Sequence, residues 1–126
     1  MKVFVTGVGG QLGHDVMNEL HKRGYEGIGS DIHPAYNGVM DGSAVVTMPY
    51  EQLDITNAES VQAVLRRVQP DAVIHCAAWT AVDAAEDQAD LVRAINADGT
   101  ANLAAACRET GCKMMYISRN NKNVIN

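Results

Sequence analysis

The sequence predicts an α/β domain, a doubly wound parallel sheet with the strand order 3-2-1-4-5. Short apolar, β-branched segments alternate with segments whose apolar residues recur at helical spacing. The strand segments lie too far apart for hairpins, so right-handed helical crossovers are expected between them. A glycine-rich segment separates the first strand from the first helix. The length of 126 residues, 47% of them apolar, suits one domain with its own core.

Five short segments are predicted to be strands because they are apolar or β-branched. They are residues 2–6, 25–31, 52–55, 72–76 and 113–118. The first helix follows the glycine-rich segment and stops at Gly24. The second begins at a capping box of Thr56 and Glu59 and ends at Pro70. The third is alanine-rich, runs from about residue 86 to residue 110, and ends at Gly111.

Two segments fall outside this alternation. Residues 32–51 contain Pro34, Gly38 and an Asp-Gly pair, which is typical of an irregular insertion. Residues 119–126 hold four asparagines and are predicted to be a frayed tail after a domain of residues 1–118. The fifth strand is then a potential sheet edge. Either self-association into a homo-oligomer or folding of the tail over this edge is expected.

The composition excludes several classes of function. The formal net charge is −5 with no basic run, so neither nucleic acid nor a membrane surface is an expected partner. No apolar run approaches a membrane span and no secretory signal is seen, which predicts a cytoplasmic protein. The three cysteines form no CxxC pair, and Cys76 is interpreted as a small buried hydrophobe. The four histidines lack metal-ligand spacing, so no metal is predicted.

The segment between the first strand and the first helix predicts a dinucleotide cofactor. Gly7 permits a tight turn, Gly10 lets a pyrophosphate approach the backbone, and Gly13 lets the helix pack close to the strand. The phosphates would meet free amides at the positive end of the helix dipole. The alternative is a glycine-rich turn without a ligand. A P-loop is excluded because no Gly-Lys-Ser/Thr follows.

Two aspartates follow strands at the same predicted edge. Asp31 could accept hydrogen bonds from the adenosine ribose and would repel a 2′-phosphate, so NAD(H) is preferred and NADP(H) is the alternative. It could also be an ordinary solvated aspartate. Asp54 could contact the adenine amino group or simply initiate the next turn, and both interpretations stay open.

The chain resembles the extended short-chain dehydrogenase/reductase family, and within it the RmlD-type dTDP-4-dehydrorhamnose reductases. The resemblance covers residues 1 to about 118 and is carried by four segments: Val5–Gly13, Gln52–Thr56, Ala77–Glu86 and Ile95–Leu103. It implies a Rossmann domain. It also implies an oxidoreductase of dTDP-rhamnose biosynthesis that transfers a hydride to a 4-keto nucleotide sugar.

The resemblance also implies roles for individual residues. Pyrophosphate-lining residues would be Gly10, Gln11 and Leu12, next to Gly7 and Gly13. Asp31, with Ile32 beside it, would hold the ribose, and Asp54 with Ile55 the adenine. Ala77, Ala78 and Trp79 would face the cofactor, Asn96 would hold active-site backbone or a water, and Ser118 is the catalytic candidate. From the residue alone, Asn96 is better interpreted as a helix-interior asparagine bonded to a neighbouring loop.

The sequence departs from the family in its chemistry. His75-Cys76 replaces an asparagine-alanine pair, and His75 is more similar to the epimerases. Reductases of this class use a tyrosine as proton donor with a lysine four residues later, and no such Tyr-x-x-x-Lys pair is present. We therefore expect the cofactor half of an enzyme, inactive alone, either a shortened piece or a natural fragment. The alternatives are a nucleotide-sugar epimerase or dehydratase fragment and a non-catalytic NAD(P)-binding regulatory subunit.

Overall fold

The computed structural model describes residues 1–36, 38, 48–76, 89–117 and 124–125. Within these ranges, nine elements follow one another along the chain. They are β1 (Lys2–Thr6), α1 (Gln11–Lys22), β2 (Glu26–Asp31), β3 (Tyr50–Gln52), α2 (Ala58–Val68), β4 (Ala72–Cys76), α3 (Ala89–Thr110), β5 (Lys113–Ile117) and β6 (Val124–Ile125).

The strands form one sheet in the order β3-β2-β1-β4-β5-β6. The first five strands are parallel, which confirms the predicted order 3-2-1-4-5. Central β1 pairs on both sides, with Thr6 opposite Ser30 of β2 and His75 of β4. Because parallel strands end at one edge of the sheet, the segments after β1, β2, β3 and β4 all begin at that edge.

Helices cover both faces of the sheet, as a doubly wound fold requires. Val3 and Val5 of β1 point to the face that α1 covers and pack with Met17. Phe4 points to the other face and is fully buried against α2 and α3, where Leu65 and Leu103 meet it. The alternation along β1 follows from the two-residue period of a strand.

The third strand lies two residues earlier than the sequence predicted. It spans Tyr50–Gln52 rather than residues 52–55. The Leu53 amide still donates to the Asp31 carbonyl at 2.8 Å. Beyond it, Asp54 turns the chain: its Oδ1 accepts hydrogen bonds from the Thr56 amide at 3.0 Å and the Thr56 hydroxyl at 2.6 Å. This local side-chain bonding replaces the strand ladder.

The predicted capping box at the start of α2 is also wrong. Asn57 is the N-cap, and its side chain accepts a hydrogen bond from the Ser60 amide at 3.1 Å. Thr56 lies one residue before the N-cap, and its hydroxyl donates to Asp54. At the other end, Gln69 adopts a left-handed conformation with φ 51° just before Pro70, which stops the helix as predicted.

The chain after α3 turns at Gly111, as the sequence predicted. Gly111 has φ 78°, and its amide donates to the Cys107 carbonyl at 2.8 Å. Instead of a wholly frayed tail, residues 124–125 form β6, antiparallel to β5. Of the two outcomes expected for the fifth strand, the structure shows the tail on that edge. The boundary at residue 118 and half of the predicted insertion, residues 37 and 39–47, lie outside the described residues. Tyr50 and Glu51, at the end of the predicted insertion, belong to β3.

The three cysteines, Cys76, Cys107 and Cys112, are free thiols, and Cys76 is buried as predicted. Among the helices that the structure describes, none has the length and apolar character needed to cross a membrane.

The N-cap assignment leads to a stability prediction. Asn57→Ala removes the side-chain acceptor for the Ser60 amide and should lower the free energy of unfolding by about 1 kcal/mol. Glu59→Ala is the control, because Glu59 would have been the partner in a capping box. It should change stability by no more than about 0.5 kcal/mol. Urea denaturation followed by circular dichroism measures both values. A larger loss of stability in Glu59→Ala than in Asn57→Ala would support the capping box instead of the Asn57 cap.

Candidate functional site

The turn after β1 passes unusually close to the end of β4. Gly7 has φ 77°, and a Cβ atom on it would lie 2.4 Å from the Cys76 carbonyl oxygen. The amides of Gly7 and Val8 both donate to the Ser30 carbonyl, at 2.9 and 3.2 Å. Only glycine satisfies the positive φ and the contact together, so the fold itself requires Gly7.

The two later glycines of this turn differ in what surrounds them. A Cβ on Gly13 would lie 2.3 Å from the Gly7 carbonyl oxygen and 2.6 Å from the Val8 Cα, so α1 can approach β1 only with glycine there. Among the residues that the structure describes, a Cβ on Gly10 would meet nothing closer than the Gly7 carbonyl oxygen at 3.7 Å, an ordinary contact. Packing therefore explains Gly13 but not Gly10, whose open side is free for a ligand.

The first turn of α1 is suited to an anion. Gly10 is its N-cap and provides no side-chain cap, and the first turn contains no acidic residue. Its leading amides and the positive end of the helix dipole thus face the carboxyl edge of the sheet. Of the two residues predicted to lie there, Gln11 is exposed and donates to Asp15 at 2.9 Å, whereas Leu12 packs partly into the core.

Asp31 lies at the end of β2 and contacts the glycine-rich turn directly. Its Oδ2 accepts a hydrogen bond from the Gly9 amide at 2.8 Å, and its Oδ1 accepts one from the Ile32 amide at 2.8 Å. The carboxylate is thus fixed beside the turn. Ile32, also predicted to lie at the site, is 54% exposed next to it. The structure therefore brings together the glycines and the aspartate that the sequence singled out.

Two residues of β3 that sequence reasoning missed hold the backbone after Asp31. The Tyr50 hydroxyl donates to the His33 carbonyl at 2.6 Å, and the side-chain amide of Gln52 donates to the Ile32 carbonyl at 3.0 Å. Burial, and then the charge of Asp31, raises the pKa of Tyr50 to about 12, so it stays a neutral donor at physiological pH. No local pattern marks these residues, because their partners lie just after the neighbouring strand, 17 and 20 residues away in the sequence.

Asp54 and Ile55 follow β3 at the same edge. Asp54 is exposed, and its Oδ1 initiates the turn through Thr56. Whether Asp54 also contacts an adenine stays a prediction. The Ile55 carbonyl accepts a hydrogen bond from Asn102 of α3 at 2.9 Å. Asn102 was not predicted from the sequence, although it lies in one of the segments that carry the family resemblance.

A buried polar row crosses the sheet beneath this edge. Thr6, His75 and Tyr116 occupy matching positions on β1, β4 and β5. Thr6 Oγ1 and His75 Nδ1 share a hydrogen bond of 2.6 Å, and the His75 and Tyr116 rings stack with centroids 5.0 Å apart. His75 is 1% exposed, and its Nε2 has no hydrogen-bond partner among the residues that the structure describes.

Burial sets the protonation of His75 and of the adjacent Cys76. It lowers the pKa of His75 to about 4 and raises the pKa of the adjacent Cys76 thiol to about 12. At neutral pH His75 is therefore uncharged and Cys76 is a thiol. Neither is poised to act as an acid, a base or a nucleophile, in agreement with the interpretation of Cys76 as a buried hydrophobe.

Several predicted site residues cannot be placed. Ala77, Ala78, Trp79 and Ser118 lie outside the described residues, and of Asn96 the structure describes only that it belongs to α3. Over the ranges that are described, no three histidine, cysteine or acidic side chains come together as a metal site would need.

The chain is similar to proteins of known family. Residues 1–121 match the family model described as the RmlD substrate binding domain. A dTDP-4-dehydrorhamnose reductase of Streptomyces griseus is 34% identical over 91% of this chain and 32% of its own length. Methionine adenosyltransferase 2 subunit beta of Pongo abelii is 28% identical over 93% of this chain and 32% of its own length.

A solved structure is similar in fold as well as in sequence. The UDP-glucose 4-epimerase of Thermus thermophilus, crystallised with NAD, is 30% identical and superposes with a TM-score of 0.74. The match covers 90% of this chain and 36% of the epimerase. The chain thus spans about a third of the length of the relatives it matches.

The buried imidazole predicts a pH-dependent stability. The pKa of His75 falls from 6.5 to about 4 on folding, so the unfolded chain protonates first as the pH drops. The stability contributed by neutral His75 is present above pH 6.5 and is lost towards pH 4. Between pH 7 and pH 5 the free energy of unfolding should fall by about 2 kcal/mol through this residue.

His75→Asn replaces the imidazole with a polar side chain that does not titrate. Chemical denaturation at both pH values should show the loss reduced by that amount in the variant. His33→Asn, at an exposed position, controls for the removal of a histidine as such. An identical pH dependence in wild type and His75→Asn would show that burial does not suppress protonation of His75.

Proposed function

The chain belongs to the RmlD substrate binding domain family, and from this we propose that it is the dinucleotide-binding part of a nucleotide-sugar oxidoreductase. The reaction we assign to the whole protein is the reduction of a 4-keto sugar nucleotide by hydride transfer. The observation that carries the proposal is Gly10. Its open side adjoins the uncapped start of α1 and the fixed carboxylate of Asp31.

We assign the pyrophosphate to the start of α1. An extended diphosphate can lie against Gly10 because no side chain of the described ranges occupies that space, and the amides of Gln11 and Leu12 meet it with the helix dipole behind them. Gly7 and Gly13 act indirectly by bringing β1, β4 and α1 close enough to form the crevice.

Asp31 supports a preference for NAD(H) over NADP(H). Each of its oxygens already accepts one backbone amide and keeps a further lone pair for the ribose hydroxyls. A 2′-phosphate at the same place would meet a fixed negative charge. The exposed Ile32 side chain provides an apolar surface beside the nucleoside.

The remaining assignments rest on the family. The adenine would contact Asp54 and Ile55. The rest of the cofactor would face Ala77, Ala78, Trp79 and Asn96, with Ser118 as the catalytic candidate. When bound, the reduced nicotinamide supplies the hydride. The sequence contains no Tyr-x-x-x-Lys pair, so we assign the proton donor and the sugar pocket to the part of a longer protein that the relatives possess. We place this protein in the cytoplasm.

A non-catalytic binding subunit is the second candidate. The absence of a Tyr-x-x-x-Lys pair favours it, and so does the similarity to a methionine adenosyltransferase subunit beta. A nucleotide-sugar epimerase is the third, favoured by His75 and by the epimerase of similar fold. NADH oxidation with a 4-keto sugar nucleotide, measured on the protein that the complete gene encodes, distinguishes the reductase from the other two candidates.

The role of Gly10 is tested by comparing two glycines. Gly10→Val should weaken NAD binding at least about 100-fold, because the pyrophosphate loses charge-assisted hydrogen bonds of roughly 1.5–3 kcal/mol each. Its cost in stability should not exceed about 1 kcal/mol, that of a poor N-cap. Gly13→Ala should instead destabilise the fold by about 1–3 kcal/mol through overpacking. Calorimetric titration measures the NAD affinity of each variant, and urea denaturation measures its free energy of unfolding. Unchanged NAD affinity in Gly10→Val would reject the proposal.

Cofactor preference is tested at Asp31. Asp31→Ala should weaken NAD binding by about 1–2 kcal/mol and leave NADP binding unchanged or tighter, so the preference narrows. Glu26→Ala removes an exposed carboxylate at the opposite end of the same strand and should leave the ratio of the two affinities unchanged. Equal affinity of the wild type for NAD and NADP, measured by titration, would remove Asp31 from this role.

A further inference from the structure

The loop after β3 is fixed in its middle by α3. Asn102 donates a hydrogen bond to the Ile55 carbonyl at 2.9 Å. Three residues earlier on the same face of the helix, Gly99 is buried beneath the Ile55 side chain. A Cβ on Gly99 would lie 2.3 Å from Ile55 Cδ1 and 2.5 Å from Cγ1, so any larger residue there would force the Ile55 side chain to shift. We call these two residues and their contacts with Ile55 the α3 contact.

The α3 contact determines the position of Asp54. The loop leaves β3 at Leu53, whose amide is bonded to the Asp31 carbonyl, and enters α2 at Asn57. Ile55 lies between these two fixed points, directly after Asp54. The carboxylate of Asp54 is in turn oriented through its Oδ1, which accepts two hydrogen bonds from Thr56. Holding Ile55 therefore sets where the second oxygen of Asp54 points.

We propose that Asn102, with Gly99, is a positioning residue for base selectivity: it holds the loop after β3 so that Asp54 discriminates a 6-amino from a 6-oxo purine. This rests on the proposed function, which places the adenine at Asp54 and Ile55. An oriented carboxylate accepts a hydrogen bond from the adenine amino group. It repels the carbonyl oxygen that hypoxanthine carries at the same position.

A merely structural role of Asn102 makes a different prediction. If Asn102 only stabilised the fold, its loss would weaken all dinucleotides alike. If Asn102 positions Asp54, its loss weakens the binding of NAD more than the binding of nicotinamide hypoxanthine dinucleotide. The reason is that only NAD carries an amino group that donates a hydrogen bond to the oriented carboxylate. The ratio of the two affinities therefore separates the two roles.

The experiment titrates the 126-residue chain calorimetrically with NAD and with nicotinamide hypoxanthine dinucleotide. Asn102→Leu keeps the approximate size of the side chain and removes the donor. We expect NAD affinity to fall about tenfold, which corresponds to the loss of one oriented hydrogen bond. The ratio of the affinity for NAD to the affinity for nicotinamide hypoxanthine dinucleotide should fall towards one. Asn102→Gln restores an amide donor and should recover part of the ratio. Ala101→Leu, at the adjacent exposed position of the same helix, is the matched control.

The outcomes separate this proposal from the function on which it rests. A ratio in Asn102→Leu equal to that of the wild type overturns the positioning role, even if both cofactors bind more weakly. Gly99→Ala, which pushes Ile55 outward, should lower the ratio in the same way, and an unchanged ratio there counts equally against it. Absence of NAD binding by the wild type would reject the proposed function, and the selectivity role with it.

Discussion

The close approach of the turn after β1 to the end of β4 is the constraint on which the rest of the site depends. Gly7 lies against the last carbonyl of β4 with a positive φ, and Gly13 lies against the Gly7 carbonyl. A side chain at either position would force β4 or α1 away from β1. The strand order reverses between β1 and β4, which is where a doubly wound sheet has a crevice at its carboxyl edge. The two glycines allow the start of α1 to lie beside this crevice.

How far the sequence predicts the structure depends on the range of the interactions. Strand order, the glycine turn and the placement of Asp31 follow from periodicity and glycine spacing, which are local signals. The start of α2 was missed because Asp54 accepts hydrogen bonds from both the amide and the hydroxyl of Thr56, and Asn57 then caps the Ser60 amide. Tyr50, Gln52 and Asn102 bond carbonyls 17, 20 and 47 residues away, which no window of sequence reveals.

Burial keeps three groups near the carboxyl edge of the sheet uncharged at neutral pH. It lowers the pKa of His75 to about 4 and raises the pKa of the Cys76 thiol to about 12. Together with the charge of Asp31, it raises the pKa of Tyr50 to about 12. These three groups can therefore hold and orient their neighbours without a change of charge near pH 7. The proposal that the catalytic acid lies in another part of a longer protein agrees with this.

The residues of the proposed binding site are linked to one another by a continuous series of hydrogen bonds. The Gly9 amide is bonded to the Asp31 carboxylate, and the Asp31 carbonyl is bonded to the Leu53 amide. Two residues later, the Ile55 carbonyl is bonded to Asn102. The series therefore runs from the turn that would receive the pyrophosphate to the loop that would receive the base. Because each link joins different elements, the spacing between the two ends is set by the fold and not by any one loop. A rigid dinucleotide site requires that property, since the cofactor contacts both ends at once.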